Sequence, residues 1–355
     1  LGKVELRNLL IRDESFFRKQ QIEVLLATQV NEIDRSSHRL HLSDGSSLAY
    51  EKLALTTGAR ARTLRIPGAQ LCGVVTLRSL SDAIAIAEMI PSARSVIVAG
   101  AGFIGLEVAS ALASLGKDIT VVEAQTRVLA RAVAPQMSDF LDRQHRRHGV
   151  KLIYRSTLSE IGGDGRRVRS VTCSDGTVLP ADLVLVGIGA DPNCELAEAS
   201  GLECRNGIVV DKYAATADPA IVAAGDCTMH PNAYAENFAR LESVQNANDQ
   251  ARTAAATLVG LRRPHDSVPW FWSDQYDIKL QMVGLAASAD TTALRGSPED
   301  NRFSQFHFRD GIVIAVDSVN SPGDHMVARK LVSGRVRLSP EEAADSGFDL
   351  KSITS

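Results

Sequence analysis

The sequence predicts an α/β protein in three parts, with one α/β domain inserted into another and a third domain behind them. Three observations carry this. A strand, glycine turn, helix and second strand occupy residues 95–123. The style of the opening segment, 1–76, returns at 206–264 once that unit has run its course. Beyond residue 265 the character shifts, and both tryptophans, Trp270 and Trp272, fall there. The expected division is 1–76 with 206–264, an insert at 77–205, and 265–355.

Size and composition agree with it. A chain of 355 residues is too long for one ordinary core and suits two or three domains. With 45% hydrophobic and 23% charged residues it reads as globular. A net charge of −3 leaves no footprint for nucleic acid, and no run of 18 apolar residues suggests a membrane span. The opening Leu1-Gly-Lys-Val-Glu-Leu-Arg lacks the apolar stretch of a secretory leader. Cys72, Cys173, Cys194, Cys204 and Cys227 are odd in number and far apart, so they make neither a disulfide framework nor a metal motif. A reducing, cytoplasmic compartment is expected.

In chain order, a helix is expected around Asp13–Gln20 and a strand at Ile22–Ala27. A hairpin follows at 36–46, turning on Asp44-Gly45, and then a strand runs into Thr57-Gly58. In the insert, Ser81-Asp82 caps a helix that Pro91 ends. A helix runs from about Pro135 to His148, stopped by Gly149. Hairpin-like strands cover Leu158–Leu179, and a buried strand at Asp182–Gly189 ends in a glycine turn. A long helix spans roughly Glu242–Leu261. Further on come strand-like runs at Leu280–Leu285, Ser304–Phe308 and Ile312–Val319, with helices near His325–Val332 and Pro340–Ser346.

The unit at 95–123 carries the first chemistry. Gly100-Ala-Gly102-Phe-Ile-Gly105 follows a β-branched strand, opens a helix, and is followed by a strand ending on Glu123. Gly100 permits the tight turn, Gly102 lets backbone approach a pyrophosphate, and Gly105 packs the helix on the sheet. The helix start offers free N–H groups to phosphate. Glu123, about 20 residues past the glycines, stands where a carboxylate bonds both ribose hydroxyls and repels a 2′-phosphate. An NAD site results, with NADH preferred over NADPH.

Four motifs together resemble the FAD-dependent pyridine-nucleotide oxidoreductases. They are the Leu55-Thr-Thr-Gly-Ala59 turn, Gly105-Leu-Glu107 continuing the NAD motif, Val186-Gly-Ile-Gly189, and Thr216–Asp226 with its Ala-Ala-Gly-Asp ending. Pro269-Trp-Phe-Trp-Ser-Asp-Gln-Tyr276 and Glu242-Ser-Val-Gln-Asn-Ala-Asn-Asp-Gln250 are similar to signatures of the bacterial ferredoxin reductases within that family. The resemblance implies two Rossmann-like dinucleotide-binding domains, the second inserted in the first, and a C-terminal α+β interface domain. The family also opens with a strand, G-x-G-x-x-G turn and helix for the FAD pyrophosphate. No such unit precedes Lys3, so the first domain is expected to be incomplete, the chain being a piece of a longer reductase or its start being assigned too late.

The resemblance further implies roles. Lys3 and Glu107 would form an ion pair near the reactive edge of the flavin. Trp272 would shield that flavin, with Thr57, Gly58, Ala59, Asp226, Glu242 and Val244 contributing to the FAD site. Gly187, Gly189 and Arg131 join the glycine motif and Glu123 on the NAD side, and Phe103 and Ile104 gate the space between nicotinamide and flavin. The activity implied is NADH-dependent reduction, through FAD, of a small [2Fe–2S] ferredoxin or a rubredoxin serving an oxygenase. The absence of C-x-x-C from this sequence argues against disulfide-reductase chemistry. A non-catalytic NAD-binding remnant without flavin, or an NADH oxidase, stays open at this point. His145 and His148, three apart with arginines between them, read as a solvated helix end, with no metal site implied. A docking patch for an acidic partner is not visible in composition, although Arg295, Arg302, Arg309, Arg329 and Lys330 could cluster in space.

Overall fold

The structure is a computed structural model and describes residues 6–235 and 237–354. At its centre lies a fully parallel five-stranded sheet in the order Val74–Thr76, Leu183–Val186, Ser95–Ala99, Asp118–Val122, Lys151–Ile153. Ser95–Ala99 is apolar along nearly its whole length because both faces of the sheet are covered: Val96 and Val98 pack on the helices Phe103–Ala113 and Pro135–Arg147, and Ile97 and Ala99 on the antiparallel strands Leu158–Gly163 and Val168–Cys173. The chain leaves this strand first to one side and later to the other. The strand order therefore reverses between Ser95–Ala99 and Leu183–Val186, and a crevice opens at their C-terminal ends. Gly100 and Gly187 stand at that point.

The first domain contributes a three-stranded meander, Val30–Asp34, Arg39–Leu42 and Ser47–Ala49, and a parallel pair, Leu53–Leu55 with Ile221–Ala223. Ile33, Leu40, Leu55, Ile208, Ile221 and Cys227 form its core. The helix Val244–Leu258 rests on Ile221–Ala223. The third domain is a five-stranded antiparallel sheet with the helix Pro322–Ser333 on one face, packed on Phe306, Phe308 and Val316. Its other face, through Ile278, Leu280, Met282 and Phe303, joins the core of the insert, where Phe303 meets Phe140 edge-to-face at 4.9 Å. Burying side chains of this size contributes about 1.5–3 kcal/mol each.

Several expectations need correction. Ile22–Ala27 is not a strand; it runs irregularly with Ile22, Val24, Leu25 and Leu26 exposed. Among the described residues no strand lies alongside to complete its ladder, and β-propensity alone cannot hold an unpaired strand. The helix expected after Ser81 begins at Leu80 and is capped by Ser79, which forms a capping box with Asp82. Trp270–Gln275 and Thr291–Ser297 are strands that the strand-like runs did not include. Two elements also cross the expected boundaries. Val74–Thr76 pairs within the insert's sheet, whereas Glu195–Ala199 packs on Val30–Asp34, because Ala197 and Leu202 find their apolar neighbours in the first domain.

Candidate active site

The glycine turn is fixed by steric necessity. Gly100 has φ of +100°, and a Cβ there would lie 2.5 Å from the Gly187 carbonyl oxygen. A Cβ on Gly105 would lie 2.2 Å from the carbonyl oxygen of Gly100, so the helix Phe103–Ala113 sits against the turn as only glycine allows. Gly102 precedes this helix and no side chain caps it, so the first N–H groups remain available. A Cβ on Gly102 would meet only the Gly187 oxygen, at 3.9 Å. Glu123 closes the turn from the next strand: its Oε2 accepts from the Ala101 N–H at 2.6 Å and its Oε1 from Gln125 N–H at 2.7 Å. Gly187 donates its N–H to the Ala99 carbonyl at 2.8 Å. Gly189, with φ of +106°, leads into a short strand pairing with Ala59–Ala61, which ties insert to first domain. Arg131 is exposed, with no hydrogen bond or ion pair among the described residues.

Glu107 sits one turn into the helix and points at the third domain. Ser273, fully buried in the strand Trp270–Gln275, donates its hydroxyl to Glu107 Oε1 at 2.6 Å. Burial raises the Glu107 pKa above the usual carboxylate value, and the Ser273 hydrogen bond opposes that rise. Lys3, its expected ion-pair partner, lies outside the described residues. Phe103 packs on Phe271 with ring centroids 4.7 Å apart, whereas Ile104 is exposed. Trp272 is half-buried and stacks obliquely between Trp270, at 5.5 Å, and Phe271, at 6.2 Å.

The first-domain residues gather around an arginine that the sequence reading did not single out. Arg78 donates to the Ala59 carbonyl at 2.9 Å and to the Asp226 carboxylate at 2.8 Å. It thus joins the Thr57-Gly58-Ala59 turn to the end of the strand Ile221–Ala223. Asp226 has only 15% of its side chain exposed. Thr57 and Asn193 hold each other through Thr57 Oγ1 to the Asn193 carbonyl at 2.6 Å and Asn193 Nδ2 to the Thr57 carbonyl at 2.8 Å. Beside Thr57 opens a cavity of about 800 Å³, lined also by Leu53, Leu55, Val30 and Leu196. Glu242 pairs with Arg240 at 2.5 Å, and Val244 is exposed at the start of its helix. The next residue, Gln245, accepts from the Trp270 N–H at 3.2 Å. Three domains therefore converge on one place: the Phe103–Ala113 helix, the Val244–Leu258 helix start and the Trp270–Gln275 strand.

Known families match the chain along nearly its whole length. Residues 4–251 match the model of the pyridine nucleotide-disulphide oxidoreductases, and residues 270–354 match that of the reductase C-terminal domain. The chain belongs to the pyridine nucleotide-disulphide oxidoreductase family. Similar members include rhodocoxin reductase of Rhodococcus erythropolis, 46% identical over 97% of this chain and 81% of that protein. The crystal structure of the ferredoxin reductase for the CYP199A2 system from Rhodopseudomonas palustris superposes with a TM-score of 0.96 at 42% identity, covering 99% of this chain and 87% of that one. The reductase in a covalent putidaredoxin reductase–putidaredoxin complex superposes with a TM-score of 0.94 at 38% identity, over 99% and 86% of the two chains.

As a pyridine nucleotide-disulphide oxidoreductase, the chain is a redox enzyme whose cofactors are NAD(H) and FAD. Its residues fit both. The uncapped helix start behind Gly102, with open space where a Cβ would stand, suits a pyrophosphate, and the Glu123 carboxylate at the turn has further lone pairs that suit ribose hydroxyls. The carboxylate of Asp226, held by Arg78 beside the Thr57-Gly58-Ala59 turn, suits the hydroxyls of a flavin nucleotide. His145, expected at a solvated helix end, is fully buried: its Nε2 bonds Gln275 Oε1 at 2.8 Å and its Nδ1 the Tyr276 hydroxyl at 3.0 Å. The third domain lands on one face of that helix and covers His145. Of the two histidines, His148 is the one at the surface, with Arg146 and Arg147 beside it. Arg78 and Ser273 are the site residues that sequence reasoning missed. Ser273 lay inside the quoted aromatic signature, but the alternation of a strand was not read there.

Proposed function

We propose that this chain is the NADH-dependent reductase of an oxygenase system, oxidising NADH and passing the electrons to a small iron–sulfur protein, a [2Fe–2S] ferredoxin or a rubredoxin. The observation that carries the reading is the convergence itself. The helix behind the glycine turn and the start of the helix Val244–Leu258 both meet the Trp270–Gln275 strand, with Ser273 bonded to Glu107 and Trp270 to Gln245, and that second helix rests on the strand that ends near the Arg78–Asp226 pair. The names of the similar proteins, rhodocoxin reductase and a reductase captured with putidaredoxin, support the choice of acceptor.

FAD, when bound, supplies the exchange between two-electron and one-electron chemistry. The chain's own residues divide the rest. The helix start at Phe103 and the Gly102 backbone bind and orient the dinucleotide diphosphate. Glu123 fixes the ribose and rejects a 2′-phosphate. Asp226, held by Arg78, accepts from ribityl hydroxyls. Glu107 holds a titratable charge at the reaction site, and the aromatic group of Phe103, Phe271 and Trp272 excludes water from it. Cytoplasmic location is part of the reading: all five thiols are free, as a reducing compartment keeps them, and no helix among the described residues is long and apolar enough to cross a membrane.

The test is spectroscopic. Protein loaded with FAD and freed of excess should keep a flavin spectrum that NADH bleaches anaerobically, and the reduced protein should then reduce a [2Fe–2S] ferredoxin. Rapid peroxide formation with no reduction of several iron–sulfur acceptors would replace this reading by an NADH oxidase. A colourless protein that still binds NADH would end the flavoprotein reading.

A further inference from the structure

Glu107 lies at the end of a chain of buried hydrogen bonds that crosses between domains. Its Oε1 accepts from Ser273 at 2.6 Å, and Ser273 Oγ in turn accepts from Gln275 Nε2 at 3.0 Å. The Gln275 Oε1 faces His145 Nε2 at 2.8 Å, and His145 Nδ1 faces the Tyr276 hydroxyl at 3.0 Å. Ser273, Gln275 and His145 are all at least 99% buried, so water does not substitute for the bonds among them, while Glu107 at one end is partly exposed. Tyr276 is half-buried, and His148 stacks on its ring at 3.7 Å and meets solvent.

The direction of every bond follows from donor chemistry. A serine hydroxyl has one proton, which goes to the carboxylate, so its lone pairs receive the Gln275 amide. That leaves Gln275 Oε1 as acceptor and puts the His145 proton on Nε2. Burial keeps this imidazole neutral, so Nδ1 is an acceptor and the Tyr276 hydroxyl donates to it. All donors point toward Glu107, and bonds aligned in this way polarise one another.

We propose that His145 is a positioning residue for Glu107: through Gln275 and Ser273 it holds the donor chain in the polarity that keeps the Glu107 carboxylate ionised and aimed. The proposal rests on the reading of Glu107 as the acid at the reaction site. The insert's helix Pro135–Arg147 would then set a charge some forty residues earlier by way of the third domain. Other groups also face the two ends. Asp274, on the same strand as Ser273, opposes ionisation of Glu107. His145 is faced by His148 and Asp142 from its own helix and by Tyr276 from the third domain, while Asp142 is itself engaged by Arg146 and Tyr154.

The test is a carboxyl titration of the full chain, labelled with ¹³C at glutamate and followed by NMR without cofactors, with Glu107→Gln identifying the resonance. Ser273→Ala should raise the Glu107 midpoint by about one pH unit, the worth of one hydrogen bond to a charged group. His145→Leu should raise it in the same direction by about half as much. His145→Gln, which keeps a donor and an acceptor, should restore it. Tyr276→Phe removes one oxygen from a half-buried ring and should also raise the midpoint, which keeps the test open should His145→Leu not fold. A midpoint that moves with Ser273→Ala but with neither His145→Leu nor Tyr276→Phe overturns the proposal. The functional reading fails separately: Glu107→Gln would then reduce flavin with NADH as fast as the parent protein.

Discussion

Glu123 does two jobs with one carboxylate. It holds the Ala101 and Gln125 N–H groups, and so the glycine turn, and in the proposed reading it presents negative charge where a 2′-phosphate would lie. Glu123→Ala should weaken NADH about tenfold, the loss of one charge-assisted hydrogen bond, and narrow the preference over NADPH. Titrating both nucleotides against the variant checks it; an unchanged NADH-to-NADPH ratio would sink the assignment. This residue was legible in the sequence because its partners are a few positions away on a turn with fixed rules. Arg78 was not. Its two partners, Ala59 and Asp226, lie 19 and 148 positions away, and nothing local marks an arginine that will bridge them.

The glycine turn and its helix allow stability and binding to be separated. Gly105→Ala puts a Cβ 2.2 Å from a backbone oxygen, so the helix must shift off the sheet. Overpacking of this kind costs about 1–3 kcal/mol, and the melting temperature and NADH binding should fall together. Gly102→Ala meets nothing closer than 3.9 Å at an ordinary φ of −78°, so it should melt with the parent while binding NADH poorly. Thermal melts beside NADH titrations decide this; equal stability of the two variants would contradict the packing account. At this scale the sequence was readable wherever an element's stability is local, as for the strand Ser95–Ala99 and the helix Pro135–Arg147. It misled where the outcome depends on a distant neighbour. Ile22–Ala27 has strand composition but no neighbouring strand among the described residues, and His145 sits among arginines on a helix that a strand 130 positions later buries.

The whole molecule is knitted by apolar packing and by buried histidines kept neutral. The insert and the third domain share one hydrophobic cluster, while the first domain keeps its own, and the helix Val244–Leu258 touches both sides, packing on Ile221–Ala223 and accepting from the Trp270 N–H through Gln245. His230, in the first domain, has both ring nitrogens without a hydrogen bond, and His325 lies against Trp270 in the third. Burial pushes the pKa of each down to about 4. Above the ordinary histidine pKa near 6.5 both are neutral whether folded or unfolded, so they cost nothing. As pH falls from there toward 4 the unfolded chain takes up protons that the folded one refuses, and stability drops by a few kcal/mol. Glu107 works in the opposite direction, since its raised pKa lets the folded state bind a proton first, but it is one group against these two and against His145 and His265, which burial also pushes down. Exposed acids such as Asp164, held down to about 2 by hydrogen bonds and Arg169, lose their contribution only at lower pH. The melting temperature should therefore decline between pH 6.5 and 4, and His230→Leu, which keeps the volume and removes the titration, should flatten part of that decline. A variant that declines as steeply as the parent would show that His230 finds a proton acceptor or solvent in the folded protein and does not resist charging.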